Sequence, residues 1–151
     1  RTRPGHWSGA YTAWGVENRE AALRFQPGTI TTRATSANVE LKIVDGAANP
    51  YLALAATLVA GLDGVARGAD PGPPLQLDPG VLDADALAAH GVARLPTSLG
   101  EAAEAFAAST VLRDGLGELM HAAITAVRRK EHADHGAKGE EELVELHRFV
   151  Y

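Results

Sequence analysis

Only two stretches of this chain carry a strand pattern, and both lie in its first third. The clearer one runs from Asn38 to Val44, where Val39, Leu41 and Ile43 alternate with Glu40 and Lys42. Strand side chains point to opposite faces in turn, so Glu40 and Lys42 share one face, about 6.6 Å apart along the strand. The apolar residues share the other. The second stretch covers Ala21–Phe25 and ends at the turn residues Gln26-Pro27-Gly28. Beyond Val44 the chain reads as helix and loop. A lone two-stranded unit is marginal in water, so these strands need a sheet supplied from elsewhere. The chain also opens without methionine. We expect a fragment of a longer polypeptide, of class α+β.

Residues 1–18 read as loop and short extended structure, and the Thr/Ser-rich residues 29–37 as loop. At Asn49-Pro50 a helix should begin, since Asn can cap free amides and Pro suits the first helical position. Tyr51, Leu54, Leu58, Leu62 and Val65 then recur at helical spacing and are expected to form a core face. Gly68–Gly80, dense in Pro, Gly and Asp, is expected to be a loop. Ser98-Leu99-Gly100-Glu101 is a capping-box pattern opening a helix to about Ala108. Gly115 and Gly117 should weaken helicity before a longer helix over Glu118–Asp134, with Leu119, Ala123 and Val127 on one face. Gly136–Gly139 breaks it, and a short helix over Glu140–Phe149 closes the chain.

The bulk properties exclude several function classes. A chain of 151 residues is long enough for one domain with a sizeable core. A net charge of −5 argues against nucleic acid. The short run Arg128-Arg129-Lys130, followed by Glu131, reads as a solvated helix face. Zero cysteines exclude disulfides and thiolate metal sites and fit a cytoplasmic protein. The longest apolar stretch, near residues 52–62, is too short and alanine-rich to span a membrane. His132 and His135 are three apart, not the i, i+4 spacing of a helical zinc site.

Chemistry concentrates in Asn18-Arg19-Glu20-Ala21-Ala22-Leu23-Arg24 and in the strand of Glu40 and Lys42. Two arginines on one segment can clamp a phosphate or a carboxylate. Glu40 can hold a divalent cation beside a lysine that can hold a carboxylate. The combination suits work on ATP and an acidic substrate. Arg19 and Arg24 are five apart, which on an unbroken strand puts them on opposite faces. Either Arg19 precedes the strand or a bulge intervenes.

The order of these segments resembles the C-terminal part of the catalytic domain of glutamine synthetases. The likeness is carried by Arg1-Thr2-Arg3-Pro4-Gly5, Trp14-Gly15-Val16-Glu17-Asn18-Arg19, Ala47-Ala48-Asn49-Pro50-Tyr51-Leu52, Ala60-Gly61-Leu62-Asp63-Gly64, Leu95-Pro96-Thr97-Ser98-Leu99 and Arg128-Arg129-Lys130-Glu131. It implies a single fragment over residues 1–151, two or so strands of a curved sheet followed by mostly helices. It also implies an ATP-dependent ligase that makes γ-glutamyl phosphate from glutamate and joins it to ammonia or a small amine. Mg²⁺ or Mn²⁺ and a cytoplasmic homo-oligomer of stacked rings belong to that picture, with neither nucleic acid nor membrane as a partner. By the same resemblance Arg1 binds substrate glutamate, Arg19 reaches both substrate and the transferring phosphoryl, and Arg24 contacts the nucleotide phosphates. Glu40 is similar to a metal ligand, and Lys42 occupies the place of a further substrate-binding arginine.

The departures from the family pattern carry information too. Ammonia-using members have a flap glutamate two residues after Pro-Gly, where this chain has Trp7. An aromatic ring there fits a larger amine, through packing or cation–π contact. Lys42 gives a point charge instead of an arginine fork, and Asn38 stands where a nucleotide-binding arginine can occur. Residues 67–94 contain no tyrosine, so the adenylylation switch of some bacterial relatives is expected to be absent. The favoured expectation is a γ-glutamyl-amine ligase, with the fragment inactive by itself. True glutamine synthesis and a non-catalytic scaffold are the alternatives.

Overall fold

The computed structural model describes residues 9–149, so Arg1 and Trp7 lie outside the described residues. The chain divides into two compact units. One joins the described residues up to Asp45 with Asp70–Leu95, and the other joins Gly46–Ala69 with the residues from Pro96 onward.

The first unit holds a three-stranded sheet in the order β1 (Trp14–Val16), β2 (Leu23–Gln26), β3 (Asn38–Leu41). β1 runs parallel to β2, and β2 pairs antiparallel with β3. Strand β1 falls in residues 1–18, expected as loop and short extended structure; three residues leave no alternation by which to place it. Its shortness also explains the tight parallel connection: the strand advances only about 7 Å, so residues 17–22 suffice to bring the chain back. β2 begins later than expected because Ala21 and Ala22 are buried in a bend ahead of it. β3 stops at Leu41, short of Val44. The Lys42 amide still donates to Ala22 O at 2.9 Å, and then the chain turns. Within residues 29–37 lies one helical turn, α1 (Arg33–Ser36), braced by a Thr32–Ser36 hydroxyl contact of 2.9 Å.

The core of this unit is small: Ala10, Ala13, Ala21, Ala22, Leu75 and Pro79 are its buried apolar residues. Leu75 belongs to a strap, residues 71–77, laid along β1. Its amide donates to Trp14 O at 2.9 Å, the Trp14 indole donates to Pro71 O at 3.0 Å, and the Val16 amide donates to Gln76 Oε1 at 3.0 Å. The expected loop is thus irregular in conformation yet firmly tied. Gly15 makes the approach possible, since a Cβ there would drive into Leu75 O and meet Asn18 Cβ at 2.7 Å. Gly15→Ala is expected to destabilise the unit by about 1–3 kcal/mol, read from the urea midpoint of the chain. An unchanged midpoint would mean that the strap yields freely. After the strap come a 3₁₀ turn, Pro79–Val81, and α2 (Ala84–Ala89), each capped by the aspartate before it.

The second unit is helical: α3 (Pro50–Ala66), α4 (Leu99–Ala108), α5 (Thr110–Leu116), α6 (Glu118–His135) and α7 (Glu140–His147). Asn49 caps α3 as expected, its side chain accepting from the Tyr51 and Leu52 amides at 3.0 and 3.2 Å. The expected core face of α3 is corrected. Tyr51, Leu54, Leu58, Leu62 and Val65 are all exposed, Tyr51 by 83% and Val65 by 80%. In this alanine-rich helix small residues permit close approach on another face. There Val59 meets α5 at Gly115, where no Cβ would fit. The helix break falls at Gly117.

A similar rotation separates expectation from structure in α6. Leu119 and Val127 are exposed, whereas His121 and Thr125 are buried. The His121 ring stacks on Phe106 of α4 at 4.7 Å, with Nε2 at 2.9 Å from Phe106 O. Thr125 closes the arrangement by donating to His121 O at 2.8 Å. Polar groups satisfied in this way can replace an apolar seam. Arg129 adds a bidentate bond to Glu104 at 2.7 and 2.6 Å, and that hydrogen bonding holds the Glu104 carboxyl below its ordinary range. Ser98 caps α4 as expected, its Oγ accepting from the Glu101 amide at 3.1 Å, while Glu101 Oε2 reaches back to the Thr97 amide at 2.7 Å, one residue before the cap. Among the described residues no helix is long and apolar enough to cross a membrane.

Candidate functional site

Register on the sheet of the first unit brings the polar residues together. Arg24 of β2 lies directly opposite Glu40 of β3, and Gln26 lies opposite Asn38. Residues two apart share a face, so all four project to one side. Leu23, Phe25 and Val39 take the other side and stay exposed.

The Arg24 Nη2 lies 2.6 Å from Glu40 Oε2. Oε2 is buried without an aligned hydrogen-bond donor, so this is a close ion pair and not a directed hydrogen bond. Arg24 keeps 19% of its side-chain surface and Glu40 keeps 44%. The Glu40 side chain is therefore half-exposed, with Oε2 itself turned in toward Arg24. Turned with its oxygen toward the guanidinium, the Gln26 amide accepts from Arg24 Nε and Nη2 at 3.0 and 2.7 Å. Arg24 is thus held flat between two acceptors. Opposite charges facing each other across a strand pair contribute about 0.2–1 kcal/mol.

Arg19 lies in the turn before β2, with its side chain exposed. Of the two readings left open by the spacing, the structure takes the first: Arg19 precedes the strand. Lys42, just past the end of β3, donates its ammonium to the Arg19 backbone carbonyl. That position is two residues along the ladder from Arg24–Glu40, because the Lys42 amide pairs with Ala22 O. Two linked pairs therefore adjoin on the sheet, Arg24 with Glu40 and Lys42 with Arg19. The turn that carries Arg19 also carries Glu17 and Glu20, so charges of both signs meet here.

Among the described residues no group of three or more His, Cys, Asp or Glu side chains is gathered for a metal. The histidines of the second unit form no such site: His135 and His147 pack edge to face at 5.9 Å.

Sequence reasoning missed Gln26 and Asn18. Asn18 Oδ1 accepts from the Glu20 amide at 2.9 Å, while Nδ2 donates to Leu75 O and Leu77 O at 2.8 and 3.0 Å. The available signal was the residue type: an Asn just before the turn that carries Arg19 can make an Asx-turn. Its far partners are carbonyls of a proline-rich strap, and no local pattern announces them.

The sheet face thus sets Arg24 and Lys42 beside the half-exposed Glu40. Comparison with known proteins fixes the class. The profile of the glutamine synthetase catalytic domain matches residues 1–146, and the chain belongs to the glutamine synthetase family. It is 51% identical over 87% of its length to a γ-glutamylpolyamine synthetase, GlnA3, of Streptomyces coelicolor, covering 28% of that protein. Glutamine synthetases of Halobacterium salinarum and Thermus thermophilus are 37% and 33% identical over 91% and 89% of the chain. The chain spans 29% of the length of each of these two relatives.

Proposed function

We propose that the chain serves as the C-terminal part of the catalytic domain of a complete ligase, which joins glutamate to an amine at the expense of ATP. The reading rests on one observation: Arg24, Glu40, Lys42 and the Arg19 turn adjoin on one side of the sheet. Supporting it is the 51% identity to a relative named as a γ-glutamylpolyamine synthetase.

In this reading Arg19 and Arg1 hold substrate glutamate, and Arg19 also meets the phosphoryl group in transfer. Arg24 lies against the nucleotide phosphates. Glu40 supplies one ligand to Mg²⁺ or Mn²⁺, whose bound charge would neutralise the phosphate oxygens. Lys42 holds the Arg19 turn through its carbonyl and adds positive charge beside the substrate carboxylate. Glutamate's side-chain oxygen attacks the γ-phosphorus of ATP and ADP leaves; the neutral amine then attacks the γ-glutamyl carbon, and phosphate leaves carrying the proton the amine gives up. Fixed guanidinium groups suit this chemistry, since they stabilise charge on the transferring group without reorganising. Trp7 packs against the alkyl part of the amine. The complete ligase is cytoplasmic and assembles as stacked rings of its own copies.

The test is phosphate release from ATP with glutamate and Mg²⁺ in the complete ligase, comparing ammonium with putrescine and ethylamine. The expected result is turnover with the amines at least tenfold above ammonium, an effect of about 1.4 kcal/mol, and none from the 151-residue chain by itself. Turnover with ammonium alone would instead assign glutamine synthesis, the activity named for the Halobacterium and Thermus relatives. No turnover with any acceptor would leave a non-catalytic family member.

A further inference from the structure

We propose that Asn18 is the positioning residue of Arg19, and that the strap of residues 71–77 acts on the site through it. The proposal rests on the reading of Arg19 as a substrate- and phosphoryl-binding group.

Arg19 lies in the turn between β1 and β2. Its side chain is exposed, and its flanks contain neither strand nor helix. Yet Glu17, two residues earlier, is held at a φ of 56°, a left-handed conformation that a non-glycine residue rarely adopts. Such a backbone persists only where the surroundings over-determine it. Two anchors supply that constraint. The Glu17 amide donates to Phe25 O at 2.9 Å, which ties the start of the turn to the end of β2. Asn18 supplies the second anchor, with all three of its side-chain hydrogen bonds. Oδ1 closes the turn locally on the Glu20 amide, and Nδ2 reaches across to Leu75 O and Leu77 O.

The chemistry of that bridge fits only an amide of this length. Aspartate would keep the acceptor for Glu20 but would turn a carboxylate toward two carbonyl oxygens. Serine would keep a shorter acceptor and lose the reach to the strap. The strap can receive the bridge because it is rigid: Pro71, Pro73 and Pro74 fix its backbone, and Leu75 is buried. Its other ties, to Trp14 and Val16, secure β1 and not the Arg19 turn. Lys42 holds the Arg19 carbonyl from the opposite side. The turn is thus held by both Lys42 and Asn18, and the Asn18 side chain joins it to the strap.

The test compares Asn18→Ala, Asn18→Asp and Asn18→Ser with Gln76→Ala in the complete ligase. Gln76→Ala removes a strap bond to Val16 without touching the turn. For a group that stabilises charge in transfer, a shift of about 1 Å costs on the order of 100-fold in rate. Asn18→Ala and Asn18→Asp are therefore expected to lower kcat about 100-fold, with KM for glutamate moving much less. Asn18→Ser should fall between, and it keeps the test alive if the other two do not fold. Gln76→Ala should stay within about twofold of the parent. Equal losses in Asn18→Ala and Gln76→Ala, tracking melting temperature, would overturn the proposal. So would an Asn18→Ala enzyme with kcat within about twofold of the parent. Arg19→Ala is run alongside. If it retains full activity, the reading of Arg19 has failed, and the positional role is judged by amide hydrogen exchange at residues 17–22. Exchange there at least tenfold faster in Asn18→Ala than in Gln76→Ala supports the anchor, and equal exchange refutes it.

Discussion

Arg19→Ala in the complete ligase is expected to lower kcat/KM for glutamate by about 10³-fold, the upper range for losing one donor aimed at developing charge. Folding stability should change by no more than about 0.5 kcal/mol, as for other exposed positions. The separation follows from where Arg19 sits. Its side chain is exposed, and the turn beneath it is held by Asn18 and Lys42 through other atoms. Truncating the guanidinium leaves both of those holds on the turn in place. Arg19→Lys should recover only part of the rate, because an ammonium cannot present the two parallel donors of a guanidinium. Steady-state phosphate release gives the rates, and thermal unfolding of the same preparations gives the stabilities. A rate within threefold of the parent would remove Arg19 from the site and move the phosphoryl contact to Arg24.

Parts of this arrangement are legible from the sequence, and the reason is local. Alternation over Asn38–Val44 put Glu40 on a polar face, and the Asn49-Pro50 pair marked a helix start; both are rules of neighbouring residues. What stayed hidden depends on partners far along the chain. Strand β1 exists because β2 and the strap pair with it, and its own three residues carry no pattern. Gln26, expected to end a strand, continues it and flanks Arg24, since pairing with Asn38 outweighs the turn chemistry that follows. The apolar stripes of α3 and α6 show the converse. Periodicity correctly announced helices but chose the wrong contact face. Alanine, glycine, a satisfied histidine and a threonine allow closer approach than the leucines do. Hydrophobic spacing ranks faces by transfer energy, whereas packing also ranks them by how near two backbones can come.

The pairing of Arg24 with Glu40 makes a charge swap the sharpest way to separate structure from chemistry. Arg24→Glu sets two carboxylates across one strand pair, and Glu40→Arg sets two guanidinium groups there. Like charges directly opposite are destabilising, so each single variant should lose about 0.5–1 kcal/mol. The double variant restores an opposite-charge pair at the same register, and its stability should return to within about 0.3 kcal/mol of the parent. The scale is modest because Glu40 keeps 44% of its side-chain surface in solvent. Activity should not follow. The swap moves the guanidinium to β3 and the carboxylate to β2, which exchanges the side offered to nucleotide phosphates with the side offered to the divalent cation. All three variants are therefore expected to fall at least 10³-fold in kcat, since each single variant loses the anion clamp or the metal ligand and the double variant displaces both. Urea unfolding and phosphate release on the four proteins complete the cycle. If the double variant regained its rate along with its stability, the pair would be a strand clasp only, and the nucleotide and metal roles would belong to other residues of the ligase. If stability returned without the rate, the two side chains would have to differ in what they bind, because their mutual attraction would have been preserved.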